Sequence, residues 1–224
     1  SFLLLRGKCK YCHAKISPQY PLVEIATGII FILIFNFVIL NFINNVSIFK
    51  FLNLAFLLYI ASVLVIIFVY DLKHYLIPDK ILLPAIAITF LYRILDFVFA
   101  PSFDGAPDRM IGWISAPMLN FILAAVIASG FFLTIFLVSK GRWMGFGDVK
   151  LAVLMGFLLG FPNVLVALFL AFFFGAIIGT ILMVFEKKSL KSEIPFGPFL
   201  IAGTFIAMLF GLQIIDWYLH LFQI

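Results

Sequence analysis

Seven apolar stretches constrain this chain more than anything else in it. Most of them approach the ~20 residues that an α-helix needs to cross a ~30 Å hydrocarbon core. They run over about 22–43, 51–70, 80–100, 111–138, 149–160, 163–185 and 196–222, joined by short polar connections. Lipid admits only backbone that satisfies its own hydrogen bonds, so the expected fold is all-α, a polytopic transmembrane bundle of about seven helices. Composition agrees with this. The 224 residues are 65% hydrophobic and 11% charged, where a soluble domain is roughly 45–50% apolar and about 25% charged. An ordinary soluble fold is excluded, and the surrounding bilayer is the chain's first partner.

The net charge of +5 then reads as orientation rather than nucleic-acid binding, because basic residues mark the cytoplasmic loops of membrane proteins. Arg6, Lys8, Lys10, Lys15, Lys73, Lys80, Lys140, Arg142, Lys150, Lys187, Lys188 and Lys191 fall on one side, and only Lys50, Arg93 and Arg109 on the other. That side is assigned to the cytoplasm. The alternation requires the short fifth stretch to cross. The chain opens on Ser1, without an initiator Met or the layout of a signal peptide, so the numbering is expected to begin inside a longer gene product.

Acids near a span are costly, by roughly 2.5–3.5 kcal/mol at the helix centre on insertion scales, so each needs a reason. Asp104, Asp108 and Glu186 lie in loops or at interfaces. Asp96 follows Arg93 by three residues, a spacing that lets them pair on one helical face. Asp216 lies in the outer half of the last stretch. Glu24 suits a helix N-terminus, and Asp79 in Pro78-Asp79-Lys80 suits a cap where the third helix begins.

Asp71 and Asp148 are different. Asp71 closes the second stretch in Val-Tyr-Asp-Leu-Lys-His-Tyr-Leu-Ile-Pro-Asp, and Asp148 opens the fifth in Trp-Met-Gly-Phe-Gly-Asp-Val-Lys. The topology puts both at cytoplasmic helix ends, at similar depth, where they can meet. Two carboxylates in contact share one proton; the ionised member can deprotonate a water while its partner protonates a carbonyl oxygen. This is aspartic-protease chemistry. Two readings of Asp148 stay open, because Asp before an apolar run is also an ordinary N-cap. Gly145 and Gly147 either make the turn into the helix or remove side chains so that a substrate backbone can approach. In Ile194-Pro-Phe-Gly-Pro-Phe199, Pro195 and Gly197 either form a non-helical entry lining a substrate cleft or simply start a helix. His74, three residues after Asp71, reads as an interfacial residue, and Lys150 as a cytoplasmic anchor pointing elsewhere on its helix.

Tyr70-Asp71-Leu-Lys-His-Tyr-Leu-Ile-Pro-Asp79, Gly145-Phe-Gly-Asp148-Val-Lys and Ile194-Pro-Phe-Gly-Pro-Phe199 resemble, in order and spacing, the bacterial type IV prepilin peptidases among the GxGD membrane aspartyl proteases. Cys9-Lys-Tyr-Cys12 and Tyr20-Pro-Leu-Val-Glu24 extend the likeness to nearly the whole chain. The resemblance implies that Asp71 and Asp148 are the catalytic pair and that Gly145 and Gly147 are the GxGD glycines. It implies prepilins and pseudopilins as substrates, cut at the cytoplasmic face of the inner membrane, and N-methylation of the new terminus with S-adenosylmethionine. It also divides the chain into 1–20, the end of a cysteine-containing cytoplasmic loop, and 21–224, the membrane protease domain, with one more helix upstream. Cys9 and Cys12 look like one CxxC pair of such a loop and would supply half of a four-thiolate zinc site; a redox pair or inert thiols are the alternatives. Proteolysis itself needs no cofactor, and no glycine-rich nucleotide loop is present.

Two rival readings follow from the same acids. A presenilin or signal-peptide-peptidase type of protease also pairs Tyr-Asp with GxGD, but carries a Pro-Ala-Leu element that this chain lacks. An ion- or proton-coupled transporter would use paired carboxylates to bind its ion, usually near the midplane of an internal repeat, and neither feature is found.

Overall fold

The computed structural model describes residues 12, 15, 17–40, 48–99, 117–186 and 195–221. Seven α-helices fill these residues: α1 (Gln19–Leu40), α2 (Ile48–His74), α3 (Asp79–Phe99), α4 (Pro117–Ser139), α5 (Phe146–Leu159), α6 (Asn163–Glu186) and α7 (Gly197–Leu221). Each falls on one of the seven apolar stretches. Among the described residues six are long and apolar enough to cross a membrane, which makes this a multi-pass, all-α membrane protein. Arg6, Lys8, Cys9, Lys10, Asp104, Asp108, Arg109, Lys187, Lys188, Lys191 and Ile194, named above, lie outside the described residues, as does 111–116 of the fourth stretch.

The chain divides into two compact units, Ser1–Val65 and Ile66–Ile224. The first holds α1 and most of α2, and the face of α1 is largely open, as a lipid-facing helix should be. The second holds the last turns of α2 and all of α3 to α7.

At the centre of the second unit is α5, which packs against α3, α4, α6 and α7. Its 14 residues reach about 21 Å, short of the ~30 Å apolar core. It is nevertheless buried over most of its surface, with Leu151, Ala152, Leu154 and Met155 sealed in the protein interior, while the face of Phe146, Lys150, Val153 and Phe157 stays partly open. A helix surrounded by protein need not match the lipid thickness, which is why the shortest stretch can occupy the middle. Gly156 makes that fit close: a Cβ there would collide with the backbone of Ala124 and Ala125 on α4. Small residues let helix backbones approach in this way.

Side-chain contacts give the helix directions. The rings of Phe136 and Phe146 lie 5.4 Å apart at one end of the α4–α5 pair. At the other, Asn120 exchanges two hydrogen bonds with the Phe161 backbone, at 2.8 and 3.0 Å. The two helices are therefore antiparallel along most of α4. α3 runs parallel to α5, since Asp79 meets Lys150 at the start of both helices and Arg93 meets the end of α5. α6 and α7 are antiparallel, with Phe172 near Phe196 and Asn163 near Gly211. The end of α2 and the starts of α3, α5 and α7 thus gather at one end of this unit.

Arg93 does more than pair with Asp96. That pair exists, at 3.6 Å, but the guanidinium also donates to the carbonyls of Phe157 at 3.0 Å and Leu158 at 2.5 Å, and covers the Phe121 ring at 3.9 Å. The last carbonyls of a helix have no partner within it, and those of α5 end in a dry interior. Arg93, its side chain 16% exposed, satisfies two of them with charge-assisted bonds. Arg93→Met is expected to cost about 1–3 kcal/mol by stranding these acceptors. A fall in the thermal midpoint of the detergent-solubilised protein would show it; an unchanged midpoint would mean that the carbonyls find other donors.

Candidate active site

Asp71 lies in the last turn of α2, which runs on to His74 rather than stopping at the acid. Tyr75 then adopts a left-handed backbone (φ 54), and its N–H donates to the Asp71 carbonyl at 2.9 Å. This is a common way for a helix to end. Pro78 keeps the chain extended until α3 begins at Asp79. Asp148 lies in the first turn of α5 but is not its cap. Gly145 occupies the N-cap position with an extended backbone, and no side chain caps it, so the capping reading of Asp148 is corrected. From the third helical position its carboxylate reaches back to the Gly145 amide and lies within electrostatic reach of Asp71.

The two acids meet. Asp71 is 4% and Asp148 8% exposed, and their carboxylates are close enough to interact electrostatically. Backbone amides hold each one, Gly197 for Asp71 and Gly145 for Asp148. Gly197 is the first residue of α7, and a Cβ there would fall on Asp71 Oδ2. Only a glycine lets that carboxylate lie against the start of the helix and its free N–H groups. Pro195 is half-buried just before α7, and Pro198 lies in its first turn. The segment is therefore both a non-helical entry beside an aspartate and a Pro-containing helix start.

The GxGD glycines do not leave an open floor. A Cβ on Gly147 would sit 3.0 Å from Cβ of Ile77 and 3.3 Å from its Cγ1; Ile77 fills that space here. A Cβ on Gly145 would meet only ordinary contacts, the nearest being Asp148 Oδ2 at 3.9 Å. Ile77 escapes a reading of the sequence because a lone aliphatic residue in a short connection carries no chemical signal.

Lys150 points away from Asp148, and its Nζ lies 2.7 Å from both carboxylate oxygens of Asp79, tying the start of α5 to the start of α3. The His74 ring lies tilted against Tyr70, with centroids 4.5 Å apart. Cys12 is a free, exposed thiol, and among the described residues no group of three His, Cys, Asp or Glu could hold a metal ion. Cys9, the other member of the CxxC pair, lies outside the described residues.

Comparison with known proteins gives two family matches. Residues 58–180 match the type IV leader peptidase family, and residues 1–38 match the bacterial Peptidase A24 N-terminal domain. Among curated proteins, the chain is 30% identical over 220 residues to the prepilin leader peptidase/N-methyltransferase of Stutzerimonas stutzeri, covering 98% of this chain and 68% of that protein. It is 31% identical to the protein of the same name from Aeromonas hydrophila (98% and 68%) and 30% identical to that of Bacillus subtilis (99% and 78%). No solved structure matches the chain.

Proposed function

Because the chain belongs to the type IV leader peptidase family, we propose that it is a membrane aspartic endopeptidase that removes the leader peptide from type IV prepilins and pseudopilins at the cytoplasmic face of the bacterial inner membrane. One observation carries the reading: Asp71 and Asp148, far apart in sequence, are buried together where α2 ends and α5 and α7 begin. In this reaction the ionised aspartate takes a proton from water, which attacks the scissile carbonyl. The protonated partner donates to the carbonyl oxygen, and the leaving amine takes a proton as the tetrahedral intermediate collapses. The amides at Gly145 and Gly197 hold the carboxylates in place through these transfers.

The basic residues that flank this end, Lys73, Lys80, Lys140 and Arg142, support a cytoplasmic location. A cut next to an apolar segment of the substrate requires the catalytic groups at that interface. The relatives' names join leader peptidase to N-methyltransferase, which supports a second step: methylation of the newly exposed amine, with S-adenosylmethionine supplying the methyl group.

The test is direct. Detergent-solubilised protein incubated with a prepilin should shorten it by the leader mass, read by mass spectrometry, with no membrane gradient present; a transporter would leave it intact. Asp79→Asn and His74→Ala are expected to stay within about threefold of the unaltered rate, since half-exposed ion pairs contribute only about 0–1 kcal/mol. A much larger loss in either variant would move that residue into the mechanism.

A further inference from the structure

Ile77 occupies the site without a part in the aspartic chemistry. It is half-buried on the three residues 76–78 that have no regular structure, between the helix carrying Asp71 and the helix beginning at Asp79. Its side chain packs at 3.0–3.4 Å from the position of a Cβ on Gly147, and its Cδ1 lies 3.5 Å from that of a Cβ on Gly197. One glycine adjoins Asp148 in sequence and the other touches Asp71. A single branched side chain therefore fills the space that Gly147 leaves and reaches the edge of the Gly197 position that Asp71 Oδ2 occupies.

With Ile77 there, Asp71 and Asp148 are 4% and 8% exposed as residues, too closed for an extended peptide to reach both. The helices around them are held by their own backbone ladders and buried packing. The 76–78 segment has no such ladder, and Leu76 within it and Tyr75 just before it are exposed. It is the part of the wall that can yield at least cost.

We propose that Ile77 is a specificity-determining gate: it must withdraw for a peptide to enter, and the space between Gly147 and Gly197 then receives the substrate side chain beside the scissile bond. This rests on the protease reading above. Because Ile77 stays tethered six residues from Asp71, its bulk sets the width of that subsite, and shortening it widens the range of residues accepted.

Two prepilins that differ only in Ala or Val directly before the scissile bond, mixed in one reaction with the detergent-solubilised protein, report the ratio of their kcat/KM values. Ile77→Ala is expected to shift that ratio about tenfold toward the Val substrate, the scale on which a change of pocket volume discriminates side chains. Ile77→Val, which removes a single methylene, should fall between. A purely structural residue would lower both rates and the thermal midpoint together and leave the ratio where it was. An unmoved ratio in Ile77→Val overturns the gate even if Ile77→Ala fails to fold. Asp71→Asn in the same assay separates the two layers: cleavage by that variant defeats the protease reading itself, whereas a silent Asp71→Asn beside an unmoved ratio defeats only the role of Ile77.

Discussion

Asp71→Asn and Asp148→Asn are each expected to reduce leader removal by at least about a thousandfold, the scale seen when one member of a catalytic unit is lost. Asparagine matches aspartate in shape, so packing around α2 and α5 should survive. What disappears is the ability to hold or release a proton. With Asp71→Asn the remaining acid has no ionisable partner, so one molecule can no longer both activate water and protonate the carbonyl oxygen. The measurement is a time course of prepilin shortening, with elution volume and thermal midpoint as controls for folding. Near-normal cleavage by either well-folded variant would rule out the pair.

Gly197→Ala should lower the rate about a hundredfold, because misplacing a reacting group by about 1 Å can cost that much. Its new Cβ would fall on Asp71 Oδ2, forcing the carboxylate off the amide that holds it. Alanine is a good helix former at the start of α7, so the loss should appear in kcat with the thermal midpoint nearly unchanged. Gly145→Ala should be milder, since its added methyl meets Asp148 only at 3.9 Å. Equal effects from the two alanines would mean that the glycines act through backbone flexibility rather than through the space beside Asp71.

Much of this was readable before any coordinates. Each apolar stretch became a helix, and Asp71 and Asp148 stood at helix ends. Where reading stopped, the missing information was spatial. Lys150 showed no partner because Asp79 is distant in sequence, yet the parallel course of α3 and α5 brings them together. Arg93 announced its neighbour Asp96 by spacing, while its bonds to the α5 carbonyls depended on a helix 64 residues away. The GxGD glycines suggested open space because nothing in the motif says that Ile77 fills it.

The amino-acid sequence by itself determined how many helices form and which segments belong in lipid, because the length and hydrophobicity of a run are local properties that the bilayer reads directly. Only the tertiary structure decided that a 14-residue helix sits at the centre of its unit, that two acids are buried near each other, and that an isoleucine packs against Gly147. Such contacts arise from the packing of helices against one another, which no spacing along a single helix encodes.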